Sequence, residues 1–449
     1  MVKSILLLHI AHLTGRLLYV FFALWYLNRY LGVEAKGVWA SLFSLFGILS
    51  VFANMGFEVW LSRAVAANRI TRGHAVSFLF RAKTGPWLLC LLIGAGVVAL
   101  SGYPWLASAA FGAALVFDGI ALAEQAVFEG KSKTDQLALM SFFKVGGFAL
   151  VAGLAALIVP DPDLNLFAWC FAGILALRLL YGWRAWKLIP ESVADPDPSA
   201  WKSFLTMGAY TLVTVLYFRI DQVMLVPMAG ERAAGDYANA YDLVEGTLFI
   251  SGAVAAVLYP RLVKADPDTR ARLFDMAFSL LVVIAACGVC GMWVFGEPVG
   301  TLLAGESFAG ALPLLYILAA GLPFMFANGI LSRWLFSQGR ERFALWSGIL
   351  AALINIVGNI LLIPRHGAAG AAGMTLVTEA FIFFTWVCWG RRSPELVFKW
   401  CFLSLPLALV GILFFTFDNP WLAAGATILC YLPLLIKLTH TAAVATGAK

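Results

Sequence analysis

Leu31-Gly-Val-Glu-Ala-Lys-Gly-Val-Trp39 returns as Ala229-Gly-Glu-Arg-Ala-Ala-Gly-Asp-Tyr237, and the likeness extends without gaps from Tyr19–Val65 to Tyr217–Val263 at a constant offset of 198 residues. Tyr19 meets Tyr217, Leu27 meets Leu225, Gly32 meets Gly230, Ala35 meets Ala233, Gly37 meets Gly235, Leu45 meets Leu243 and Arg63 meets Arg261. The offset encloses six apolar stretches, an even number, so both copies run the same way through a membrane. That is a parallel repeat with its axis along the membrane normal, the plan of transporters whose substrate site lies between two halves.

Outward from the repeat, composition agrees. Of 449 residues 62% are hydrophobic and 12% charged, against roughly 45–50% and about 25% in soluble domains. Stretches of about 20 apolar residues, each long enough to cross the hydrocarbon core as a helix, recur along the chain. The sequence thus predicts an all-α integral membrane protein of about fourteen transmembrane helices: a six-helix lobe over 1–190, a second over 191–392, and two additional helices over 393–449. The first stretch, Ile5 to Leu27, exceeds a signal-peptide core and carries Arg16 at its middle, so it is expected to remain as the first helix. Basic residues cluster at alternate connections. About 23 of 31 Lys and Arg fall on one side, and Arg29, Lys36, Arg232 and Arg365 on the other, which predicts cytoplasmic termini. The seven cysteines lie in or beside apolar spans and read as small hydrophobes.

Leu31 to Trp39, Tyr217-Phe-Arg-Ile-Asp-Gln-Val-Met-Leu225, Gly235-Asp-Tyr-Ala-Asn-Ala-Tyr241 and Tyr259-Pro-Arg261 together resemble the polysaccharide flippase branch of the multidrug/oligosaccharidyl-lipid/polysaccharide exporter superfamily. The resemblance covers about the first 390 residues. It implies two six-helix lobes around a central cavity and outward movement of undecaprenyl pyrophosphate-linked sugar units by alternating access across the bacterial inner membrane. Such units feed O-antigen, capsule or exopolysaccharide assembly. A polysaccharide polymerase and a chain-length regulator are then expected partners. The alternatives are a cation-extruding multidrug antiporter of the same superfamily, a peptidoglycan lipid precursor flippase, and an integral membrane glycan polymerase or glycosyltransferase. Against the enzyme, no Asp-x-Asp, H-E-x-x-H or P-loop pattern stands in a suitable context.

Ionisable residues within spans mark pathways or internal pairs, because a charge at the bilayer centre is costly. His12 and Arg16, with His9 and Tyr19, share one face of the first helix, and a guanidinium there suits a pyrophosphate headgroup. Arg219, Lys144, Arg63 and Arg261 are further candidates to meet an anionic lipid. For Arg219 the competing reading is an internal salt bridge, for Arg63 and Arg261 a topological role. Lys144 and Arg178 lie near enough to a membrane face to snorkel, which is the expectation for Arg178. Asp221, Asp118 and Glu379 are candidate coupling or gating carboxylates, with H+ or Na+ as the ion. Asp242 and Glu245 suit an outer gate. Glu58 and Glu124 could pair with Arg63 and Lys144 as packing bridges. No metal ligand set or cofactor is expected.

Overall fold

The computed structural model describes residues 14–15, 17–192 and 205–389, and every regular element among them is helical. A π-helical turn, Phe22–Tyr26, leads into α1 (Leu27–Asn54). Then follow α2 (Phe57–Ala66), α3 (Arg72–Ser101), α4 (Trp105–Gly130), α5 (Thr134–Phe142), α6 (Phe148–Ile158), α7 (Leu164–Gly182), α8 (Leu205–Ala229), α9 (Glu231–Lys264), α10 (Pro267–Ala304), α11 (Leu312–Ala320), α12 (Leu322–Ser337) and α13 (Glu341–Trp389). Among the described residues nine helices are long and apolar enough to cross a membrane, and a tenth span is the pair α11–α12, bent by 41°. The helices expected over 393–449, and the segment holding His9, His12 and Arg16, lie outside the described residues.

Helix boundaries follow glycine and capping chemistry. The first two expected spans run together as one helical stretch broken at Gly32, at φ 78° and ψ 176°. The equivalent break between α8 and α9 is Gly230, at φ 91°. Residues other than glycine adopt that backbone only with strain, so the repeat seen in the sequence is also a repeat in conformation. A third break, Gly367 at φ 54°, divides α13 into the two spans expected there. Asp266 caps α10 by accepting from the Thr269 N–H at 3.0 Å, with Pro267 in the first turn. That backbone hydrogen bond holds the Asp266 carboxyl below its ordinary range.

The chain divides into two compact units, Met1–Ala238 and Asn239 onward. In the first, a ring cluster fills the space between helices: Trp39 lies parallel to Phe148 at 5.4 Å, and Phe171 meets Phe148 edge-on at 5.2 Å. In the second, Phe274 of α10 packs on Trp334 of α12 at 4.7 Å. Apolar side chains also cover exposed faces, among them Leu88, Leu92 and Leu100 on α3 and Leu353, Val357 and Leu361 on α13. Those faces suit hydrocarbon rather than water.

Within the first unit the two repeat copies touch at their glycines. A Cβ on Gly37 would lie 2.7 Å from the Gly235 nitrogen and overlap the Glu231 carbonyl, and one on Gly235 would overlap the Val33 carbonyl. Positions 33 and 231 are themselves repeat mates, so the two backbones cross about a local two-fold. Beside the crossing, Arg232 bonds Glu34 at 3.3 Å. Backbone cannot yield to a new methyl as a flexible side chain can. Gly235→Ala is therefore expected to lower the thermal unfolding midpoint in detergent, with a cost of about 1–3 kcal/mol. Gly47→Ala, where a Cβ meets nothing within 4 Å, should leave the midpoint unchanged or raise it.

Candidate functional site

Apolar periodicity buries one face of each helix, and in the first unit that face carries charge. Asp118 on α4 is fully buried. It accepts from Arg178 Nη1 of α7 at 2.6 Å, from Lys144 Nζ at 2.8 Å and from Ser50 Oγ of α1 at 3.1 Å. Arg178 spends its other donors inside the protein: Nη2 to Gln125 Oε1 at 2.5 Å and Nε to the Met140 carbonyl at 3.1 Å. Every group that seals this arginine lies on a rigid helix, so the pair is a fixed post.

Lys144 differs. It sits in a π-helical turn, Phe143–Gly147, joining α5 to α6, where one extra residue in the ladder rotates the side chains that follow. Gly146 in that turn lets the first helix approach, since a Cβ there would fall 2.8 Å from the Gly15 Cα. The Lys144 side chain remains 32% exposed while Asp118 and Arg178 are at 0% and 1%. Two cations thus share one carboxylate, and the surplus positive charge is presented on the open side. Lys144 lies ten residues beyond the start of α5, about 15 Å along the helix axis, within the candidate membrane span Thr134–Ile158. An ammonium there binds an anion more strongly than at a water-exposed surface.

Both units bury further polar groups. Lys83 of α3 is buried, bonds Asn54 Oδ1 and lies 4.7 Å above the Phe57 ring. Glu124 accepts from Trp186 Nε1 at 3.1 Å. Asp221 on α8 is buried and accepts from the Tyr237 hydroxyl and from the Gln222 N–H at 2.7 Å. In the second unit, Glu379 on α13 accepts from Asn328 Nδ2 of α12 at 2.7 Å. Near it, Asn355 donates to Thr378 Oγ1 at 3.1 Å, and Asn359 to Asn355 Oδ1 at 2.9 Å.

Of the residues singled out from sequence, Lys144 and Asp118 come together. Arg219, Asp242 and Glu245 are half-buried on α8 and α9, while Arg63 and Arg261 stand exposed. Three expectations are corrected. Arg178 does not snorkel, because Asp118 lies within reach on the helix packed against it. Lys144 pairs with Asp118 rather than Glu124, which faces Trp186 instead. Lys36, counted among outer-end charges, is buried within the protein. Lys83 was not among the residues singled out from sequence. Its signal was present, since Ala75, Leu79, Lys83 and Trp87 form one helical stripe and all four are buried.

The chain matches the family described as "Polysaccharide biosynthesis protein" over residues 1–266, and that described as "Lipid II flippase MurJ" over residues 164–436. It is 22% identical to a protein of Haloferax volcanii named as a low-salt glycan biosynthesis flippase, over 92% of this chain and 89% of that one. It is 23% identical to a Shigella dysenteriae protein named for O-antigen transport, over 85% and 98%. Among solved structures, a lipid II flippase in an inward closed conformation superposes with a TM-score of 0.66 at 14% identity, covering 97% of this chain and 98% of that one. An inward-facing multidrug resistance transporter superposes with the same score and identity over 86% and 96%. Both share the fold.

Asp118→Asn leaves Arg178 buried without a counter-charge, and its expected cost is about 3–5 kcal/mol. Asp118→Leu combined with Arg178→Met removes both charges and should recover most of that loss. Unfolding midpoints of the purified single and double variants check the difference.

Proposed function

The chain belongs to the polysaccharide biosynthesis protein family of the multidrug/oligosaccharidyl-lipid/polysaccharide exporter superfamily, and from that premise we propose that it flips a lipid-linked oligosaccharide across the cytoplasmic membrane. The observation that carries this reading is Lys144: an ammonium at membrane depth, held on buried Asp118 and a third exposed. A pyrophosphate-linked sugar must bring its charged headgroup through that depth, and a fixed cation offsets the cost of taking it out of water. Drug-like cations would find no such partner in this cluster, so the antiporter reading is not favoured.

In this reading the cargo is an undecaprenyl pyrophosphate-linked repeat unit for O-antigen, capsule or exopolysaccharide. Alternating access moves it outward, with both chain termini cytoplasmic and an ion gradient driving the cycle. Arg16 and His12, which lie outside the described residues, and Arg219 on α8 would extend the cationic route, and Arg63 and Arg261 would gather the headgroup at the inner leaflet. A polymerase and a chain-length regulator would receive the product. The match to the lipid II flippase family over residues 164–436 keeps a second cargo in view, a peptidoglycan precursor.

Deletion of the gene in its host, complemented by wild type, by Lys144→Gln and by Lys144→Arg, separates these readings. Surface polysaccharide is expected to vanish on deletion while lipid-linked intermediates accumulate inside, as read by mass spectrometry. Wild type and Lys144→Arg should restore export, and Lys144→Gln should not, although it reaches the membrane in normal amount. Full export with Lys144→Gln would remove Lys144 from the pathway. Accumulated peptidoglycan precursor with intact surface polysaccharide would identify the second cargo.

A further inference from the structure

We propose that Glu379 and Asn328 form a proton-carrying site in the second unit: the Glu379 carboxyl holds a proton in this conformation and releases it when α12 and α13 part. Glu379 is 1% exposed and Asn328 5%. The Asn328 amide nitrogen uses both hydrogens on one residue, donating to Glu379 Oε2 at 2.7 Å and to the Glu379 carbonyl at 2.9 Å. Two buried acceptors then remain without any donor, Glu379 Oε1 and Asn328 Oδ1. An ionised carboxylate here would carry a full charge with one oxygen unsolvated, a cost of several kcal/mol that native interiors avoid. A proton on Oε1 removes the charge and provides a hydrogen for Oδ1 of the same amide. One added atom thus answers both vacancies.

The surroundings supply no alternative. Among the described residues none places a cation within ion-pairing distance of Glu379. The nearest basic residue along α12, Arg333, lies against the Tyr259 ring at 5.9 Å. On α13 itself Glu341, Arg342, Arg365 and His366 lie at helix ends or the Gly367 break, and α11 brings only Tyr316. Phe324 of α12 meets Phe383 of α13 at 5.5 Å beside the pair, a contact between apolar rings. Of the other buried carboxylates with an ion-coupling claim, Asp118 has two cations and a hydroxyl on it, and Asp221 accepts from the Tyr237 hydroxyl and the Gln222 N–H.

Release follows from geometry. Asn328 lies two turns beyond the 41° bend at Gly321, and Pro323 opens α12 without its own N–H bond. Straightening there separates α12 from α13, water reaches Oε1, and the proton passes to it, leaving a hydrated carboxylate that resists closure until reprotonated. The coupling ion of the flippase cycle is then H+. That consequence rests on the transport reading above, whereas the site does not.

The test separates the two. Infrared difference spectra of the purified, reconstituted full chain, taken without cargo between neutral and strongly alkaline pH, should show loss of a protonated-carboxyl band. Glu379→Gln should lack that band yet keep the wild-type thermal midpoint, since its amide can replace the acid as donor to Asn328. A band whose intensity Glu379→Gln leaves unchanged, or no band in the wild type at neutral pH, overturns the site. So does a sodium-dependent rise in midpoint that Glu379→Gln abolishes, which would make the ion Na+. With the band in place, a pH-sensitive dye sealed in proteoliposomes should report proton flux on addition of a lipid-linked oligosaccharide, lost in Glu379→Gln. Flux that persists in the variant overturns the coupling role alone.

Discussion

The buried ion cluster on Asp118 is the constraint around which the first unit is arranged. A charge within a membrane protein must be answered by protein, because lipid offers nothing. Asp118, on α4, draws helices α1 and α7 and the α5–α6 turn onto one point, since each of the three contributes a donor to it. Their spacing is then set by hydrogen-bond lengths of 2.6–3.1 Å rather than by apolar packing alone. Gly182 on α7 permits close approach to α4, since a Cβ there would overlap the Glu124 side chain. The result is a rigid interior with one partly open charge.

The second unit answers burial differently. Among its described residues the buried polar groups are amides and hydroxyls, such as Asn328, Asn355, Asn359 and Thr378, with a single carboxyl, Glu379. Neutral hydrogen bonds hold helices together without imposing the cost of paired charges. A unit built this way parts more readily at a helix contact, whereas the Asp118 cluster resists separation.

Much of this was legible in the chain. The offset from Gly32 to Gly230 foretold two equivalent breaks, because glycine at a helix junction reports a backbone that other residues avoid. Apolar length foretold membrane-crossing helices along the described residues. The partners of the charges were not legible. Whether Arg178 reaches outward to a headgroup or inward to Asp118 depends on helix rotation of a few tens of degrees, which hydropathy does not encode. Lys83 sat on a stripe of buried residues, yet its place beside a basic loop disguised it. The π-helical turn that aims Lys144 has no sequence mark beyond Gly146-Gly147.

The crossing of Gly37 and Gly235 bears on ancestry. Each glycine meets the carbonyl four residues before its mate, an isologous contact of the kind found in two-fold homodimers. Two identical halves would serve equally well there. Glu34 and Arg232 would not, for they occupy the same position in the two copies. A symmetric dimer must place like against like, either two carboxylates or two guanidiniums facing across the axis. Their opposite charges mean that at this contact the two copies are no longer interchangeable.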